Sequence, residues 1–130
     1  MSVQYLEPAE WQKGRAFSPA VISDGGRIVW LAGQTALVDL EGRDISGRMD
    51  EQARTVFALL DRTLQRAGGS LANMVTMTVF ISDVRLGDRF IEIRKECFPG
   101  GRYPASALIT VSGFARPGIV IEIQGVAVLP

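Results

Sequence analysis

Apolar positions recur at helical spacing most clearly in one stretch: Met49, Ala53, Val56, Phe57, Leu60 and Leu64 fall on one side, and Asp50, Glu51, Arg54, Asp61, Arg62 and Arg66 on the other. This predicts an amphipathic helix from Met49. Ala67-Gly68-Gly69-Ser70 supplies its stop, since glycine takes the left-handed conformation that closes a helix without strain. A second helix is expected from near Leu86 to Cys97, with Phe90, Ile91, Ile93 and Cys97 as its apolar side and Pro99-Gly100-Gly101 beyond it. Elsewhere the pattern reads as strand. Val3 to Leu6 is a short leading strand, and Val21-Ile22-Ser23 and Ile28 to Ala32 flank Asp24-Gly25-Gly26-Arg27, a hairpin signal. Asn73 to Ile81, Ala105 to Val111 and Ile119 to Val128 follow, dense in β-branched and aromatic residues.

The order strand, hairpin, helix, strand, helix, strand, strand predicts one α+β domain over residues 1–130. Two helices cover only one face of such a sheet. In the strand before the second helix, Val75, Met77, Val79 and Ile81 alternate with Met74, Thr76, Thr78 and Phe80, so neither face is properly polar. The second face needs a cover that the chain has no elements left to supply, and other copies of the same chain are expected to provide it.

Composition narrows the chemistry. Lys+Arg and Asp+Glu are 14 each, and a formally neutral chain lacks the basic footprint of a general nucleic-acid binder. With no histidine, a Ser-His-Asp triad and imidazole metal ligation are excluded within one chain. The single cysteine, Cys97, excludes an intrachain disulfide and a thiolate zinc cluster, and its helical, core-like setting reads as an inert buried thiol. No apolar run approaches membrane-spanning length, and the N-terminal residues have no basic or long apolar signal region, so the expected compartment is the cytoplasm. Proton chemistry is left to Asp, Glu, Tyr and Lys. Among these Glu122 stands out: a carboxylate in Val120-Ile121-Glu122-Ile123-Gln124 is either a solvated edge group or a chemical one.

Gly33-Gln34 on a strand, Glu51-Gln52-Ala53-Arg54 opening a helix, Ala67-Gly68 closing it, Val75-Thr76-Met77-Thr78-Val79-Phe80, Tyr103-Pro104-Ala105 and Ile121-Glu122-Ile123 together resemble the YjgF/Rid (reactive intermediate deaminase) family, also called endoribonuclease L-PSP. The resemblance spans nearly the whole chain in the family's order. It implies a chorismate-mutase-like fold, a single mixed sheet with two helices on one face, closed into a homotrimeric barrel with ligand clefts between subunits. It also implies hydrolysis of enamines and imines such as 2-aminoacrylate, without a cofactor, by a glutamate on the last strand that places water. That glutamate corresponds to Glu122. The family's carboxylate-gripping arginine falls at Ser106, a common tyrosine at Phe17 and a frequent cysteine at Leu108.

One hydroxyl cannot reproduce the two parallel charge-assisted bonds of a guanidinium. Loss of one partner of such a pair costs about 2–5 kcal/mol, which argues against 2-aminoacrylate itself as the substrate. Arg102 and Arg116 are the candidates to replace the arginine, and each reads otherwise as an exposed loop charge. Tyr103 faces a ligand or a neighbouring subunit. The candidate site is therefore Glu122 as catalytic residue with Ser106, Phe17, Tyr103 and Arg116 around a small-molecule ligand at a subunit interface. Three functions follow in order: a hydrolase of C=N metabolites, a non-catalytic trimeric metabolite binder, and an endoribonuclease. Ser106→Arg is expected to raise the first activity.

Overall fold

Strand β6 (Ile121–Leu129) is the centre of the fold. In the computed structural model, which describes residues 1–130, a four-stranded sheet runs in the order β3 (Arg27–Gln34), β6, β4 (Met74–Ile81), β5 (Ala105–Thr110). β6 is antiparallel to both neighbours, and β4 and β5 are parallel. A parallel pair cannot be closed by a tight turn, so the connection between them carries a helix, α2 (Gly87–Cys97). The other helix, α1 (Met49–Arg66), joins β3 to β4. Both helices pack on one face of the sheet, as expected. Val56, Phe57, Leu60 and Leu64 of α1 and Phe90, Ile91 and Ile93 of α2 share one core with Met77, Val79, Ile81, Ile121 and Ile123.

The stop of α1 works as its glycines suggest. Gly68 has φ 95°; its N–H donates to the Gln65 carbonyl at 3.0 Å and the Gly69 N–H to the Leu64 carbonyl at 2.9 Å. These satisfy two carbonyls that a helix end otherwise leaves open.

Two expectations need correction. The Gly25-Gly26 turn forms, with φ of 75° and 84°, but the strands it joins do not pair with each other. β2 (Val21–Asp24) pairs with β1 (Ser2–Tyr5) in a separate two-stranded sheet, while β3 pairs with β6. A Cβ on Gly26 would run into the Leu129 carbonyl and the Met1 side chain. The glycines thus carry the chain from one sheet to the other at a crowded crossing. Hydrogen bonding therefore gives two sheets, not one. The second correction concerns Met74, expected opposite Met77 and Val79. A register shift between Met74 and Thr76 turns its side chain into the helix-side core, where it is fully buried.

The sheet face away from the helices is open and mixes apolar with polar side chains. Trp30 is 77% exposed and Ile28 56% on one edge strand, and Ile109 42% on the other, with Thr76, Thr78, Glu122 and Gln124 on the central strands between them; exposed apolar groups of this size mark an interaction surface. No helix is long and apolar enough to cross a membrane.

Candidate functional site

Alternation along β6 decides where Glu122 points. Ile121 and Ile123 are fully buried against the helices, so Glu122, paired with Phe80 of β4, projects to the open face with Gln124 and Val126. There it is half-buried. No lysine or arginine of the chain forms an ion pair with it. It lines a cavity of about 410 Å³ with Phe80, Val111, Phe114 and Gln124. The register shift between Leu31 and Gln34 brings Gly33 beneath it, and a Cβ there would collide with the carboxylate. The strand glycine is thus the seat of the acid.

The approach to β6 is fixed by a residue that sequence reasoning placed only within a motif. Gln52 of α1 is fully buried. Its Nε2 donates to the carbonyls of Ile45 at 2.9 Å and Gly118 at 2.7 Å, and its Oε1 accepts from the Val120 N–H at 2.9 Å. One amide thereby ties two loops together two residues before Glu122.

Ser106 lies on the other side of the sheet. It pairs in register with Met77, a helix-facing residue, and its hydroxyl accepts a hydrogen bond from Nη1 of Arg94 at 2.7 Å. Nη2 of Arg94 donates to the Arg15 carbonyl at 3.2 Å. The guanidinium carbon lies 5.0 Å from the Phe90 ring centroid, and Nε is buried with no acceptor. Arg94 is 2% exposed and has no carboxylate partner. Burial, with Arg15 nearby, pulls its pKa down to about 10. Arg15, Phe17, Ile91, Arg94, Ser106 and Leu108 line a cavity of about 170 Å³ beside the edge strand β5. Ala16, buried with φ 62°, adopts a left-handed conformation costing about 1–2 kcal/mol, and this bend sets the Arg15 carbonyl against Arg94 and Phe17 against the cavity.

The chain therefore brings Ser106 and Phe17 together and leaves Glu122 apart from them, on the opposite face. Tyr103 lines neither cavity; its ring packs edge-on against Phe98, with centroids 6.4 Å apart. Arg116 is exposed in the loop before β6, and Arg102 stacks on the Tyr5 ring at 4.8 Å. Neither reaches Ser106. The cation that does, Arg94, follows Phe90 by four residues and Ile91 by three. Its place on the apolar stripe of α2 was the signal that could have found it. Cys97 behaves as an inert thiol: burial, with Glu96 beside it, pushes its pKa up to about 11.

The family model described as endoribonuclease L-PSP matches residues 9–129. A human protein named 2-iminobutanoate/2-iminopropanoate deaminase is 30% identical over 112 residues, covering 86% of this chain and 79% of that protein. Protein DfrA of Myxococcus xanthus is 33% identical over 114 residues, covering 86% of this chain and 84% of its own. Among solved structures, the Yersinia pestis protein YyfB, described as a protein of unknown function of the conserved Rid family, superposes with a TM-score of 0.87 at 24% identity, covering 99% of this chain and 100% of that one. The chain belongs to the YjgF/Rid family, the family of endoribonuclease L-PSP.

Proposed function

We propose that this Rid-family protein hydrolyses small reactive imines, or their enamine tautomers, to carbonyl compounds and ammonia in a cleft completed by a second copy of the chain. The observation that carries the proposal is the unpaired, half-buried Glu122 carboxylate, seated over Gly33 at a cavity on the open sheet face. A carboxylate so held can accept a proton from water as the water oxygen bonds to the imine carbon. The same proton passes to nitrogen to give the carbinolamine; the carboxylate then moves the carbinolamine O–H proton to the amine, the C–N bond breaks, and ammonia leaves as the carbonyl forms. The human relative's name describes the same class of reaction.

Ser106 and Glu122 face opposite sides of one sheet, so a single chain cannot present both to one ligand. In a homotrimer each copy would lend its open sheet face to a neighbour's β5 edge, burying Trp30 and joining the two cavities. A non-catalytic trimer binding the same metabolites is the second reading, favoured by Ser106 at the family's arginine position. Nothing in the side chains favours ribonuclease chemistry: the chain has no histidine and no net charge.

The test generates 2-imino acids with an amino-acid oxidase and traps survivors with semicarbazide. Purified protein should lower the trapped signal, and Glu122→Gln should abolish the effect. No effect with any amino acid sinks the hydrolase reading, and full activity of Glu122→Gln sinks the role of the carboxylate. Sedimentation should give three copies; a monomer refutes the shared cleft.

A further inference from the structure

We propose that Arg94 is the ligand-gripping residue of this protein, delivered from helix α2 and steered by Ser106, and that its ligand is a small monocarboxylate bound in the cavity it shares with Phe17, Ile91 and Leu108. The inference rests on the small-molecule reading above and names the end of the ligand that this side of the cleft holds.

The argument starts from an imbalance of charge. Arg94 is 2% exposed, and a buried cation is costly unless an anion or a full set of acceptors offsets it. Here neither is present. A guanidinium has five N–H groups; the Ser106 hydroxyl takes one and the Arg15 carbonyl another, while Nε has no acceptor. The only other charge close by is Arg15, of the same sign and paired outward with Asp88 at 3.1 Å. Burial and that neighbour both disfavour the charged form of Arg94. An anion would supply what the chain withholds.

The cavity's shape and lining select the anion. At about 170 Å³, with Phe17, Ile91 and Leu108 as walls, it has room for a few heavy atoms, and its walls suit a short hydrocarbon chain. The planar fork of a guanidinium matches a carboxylate, whose two oxygens accept in parallel. A phosphate dianion needs more donors than one half-engaged guanidinium offers. Ser106 holds Nη1 in place without competing for charge, which explains why a neutral hydroxyl stands there. It is a positioning residue.

The test is binding, so that it does not depend on turnover. Titration of 2-oxobutanoate, a stable product-like carboxylate, into the full-length wild-type protein should raise the melting temperature and give a calorimetric signal. Arg94→Met should weaken binding at least ten-fold. Because that variant could fail to fold, Ser106→Asp provides a second arm: its carboxylate should pair with Arg94, raise the melting temperature without ligand and weaken 2-oxobutanoate binding at least ten-fold. Unchanged affinity in Ser106→Asp or in folded Arg94→Met, no binding by wild type, or equal stabilisation by inorganic phosphate would each overturn the assignment. Wild-type binding that Ser106→Asp abolishes, with no imine hydrolysis by wild type, keeps the assignment and removes the hydrolase reading.

Discussion

Truncating Gln52 to alanine should lower folding stability by about 3–7 kcal/mol, although the residue touches no ligand. Of its three partners, the Ile45 carbonyl also accepts from the Arg48 N–H at 3.1 Å and the Gly118 carbonyl from the Gly47 N–H at 2.7 Å. Each therefore loses one of two bonds, at about 0.5–1.5 kcal/mol apiece. The Val120 N–H has no other acceptor, and a buried orphan donor costs about 1–3 kcal/mol. The vacated volume adds about 1 kcal/mol. Urea denaturation at fixed protein concentration is the assay; with a slope of about 2 kcal/mol per molar, the midpoint should fall by about 1.5–3.5 M. Gln52→Glu sharpens the test, because it turns a carboxylate oxygen toward the two carbonyls that the amide nitrogen now serves. Burial and those carbonyls raise the folded pKa of such a glutamate above its unfolded value of about 4.3. Its stability relative to wild type is then greatest below pH 4.3 and is lost as pH rises through the raised value. A Gln52→Ala midpoint matching wild type, or a Gln52→Glu penalty independent of pH, would refute the hub.

Gly33→Ala should displace the Glu122 carboxylate and cut imine hydrolysis at least ten-fold, while urea denaturation shows a smaller stability loss than for Gln52→Ala; undiminished activity would show that the seat is immaterial. Ser106→Arg, which the sequence alone suggests would raise activity, places a second guanidinium against Arg94, a repulsion of about 4 kcal/mol at 4 Å and an effective dielectric of about 20. It should therefore destabilise the fold, and adding Arg94→Met should restore both the melting temperature and carboxylate binding; a Ser106→Arg single variant as stable as wild type refutes this. Stability against pH should be flat between about pH 5 and 8, where no histidine titrates. Hydrogen bonds from Arg43, Ser46, Arg89 and Arg85 hold Asp39, Asp44, Asp50 and Asp83 below the usual carboxylate range, Asp83 at about 2. These folded values are depressed, so their contribution is present above about pH 3.8 and lost as pH falls through them; a thermal midpoint that stays level down to pH 2 contradicts it.

Local chemistry made the helices legible and left some of the pairing hidden. The stripe of α1 and its glycine stop are properties of consecutive residues, and both ends fall where the pattern puts them. The Gly25-Gly26 turn was equally visible, yet a turn fixes only the path of a few residues. Which strand pairs with β2 depended on Ser2 to Tyr5, whose partners lie 16 to 22 residues further along the chain. Met74 was misplaced for a related reason: strict alternation assumes an unbroken strand, and the register shift beside Val75 breaks it.

The site divides the same way. Glu122 could be found because an acid among isoleucines is anomalous within five residues. The significance of Ser106 could not, because its partner lies on another element, reached only once α2 packs across β5. A serine at the family's arginine position reads alone as a deletion of charge. Arg94 reads alone as one of several surface charges on a short helix, although its spacing from Phe90 and Ile91 puts it on the buried stripe. Together they describe a guanidinium that enters the same cavity from the opposite wall, its tip on the hydroxyl at 2.7 Å. The two positions are then energetically coupled. An arginine at both would set two buried like charges in contact, and an arginine at neither would leave the cavity with Arg15 as its only cation, already paired outward with Asp88. Changes at residues 94 and 106 should therefore be strongly non-additive, and a double-mutant cycle between them is where the coupling would be read.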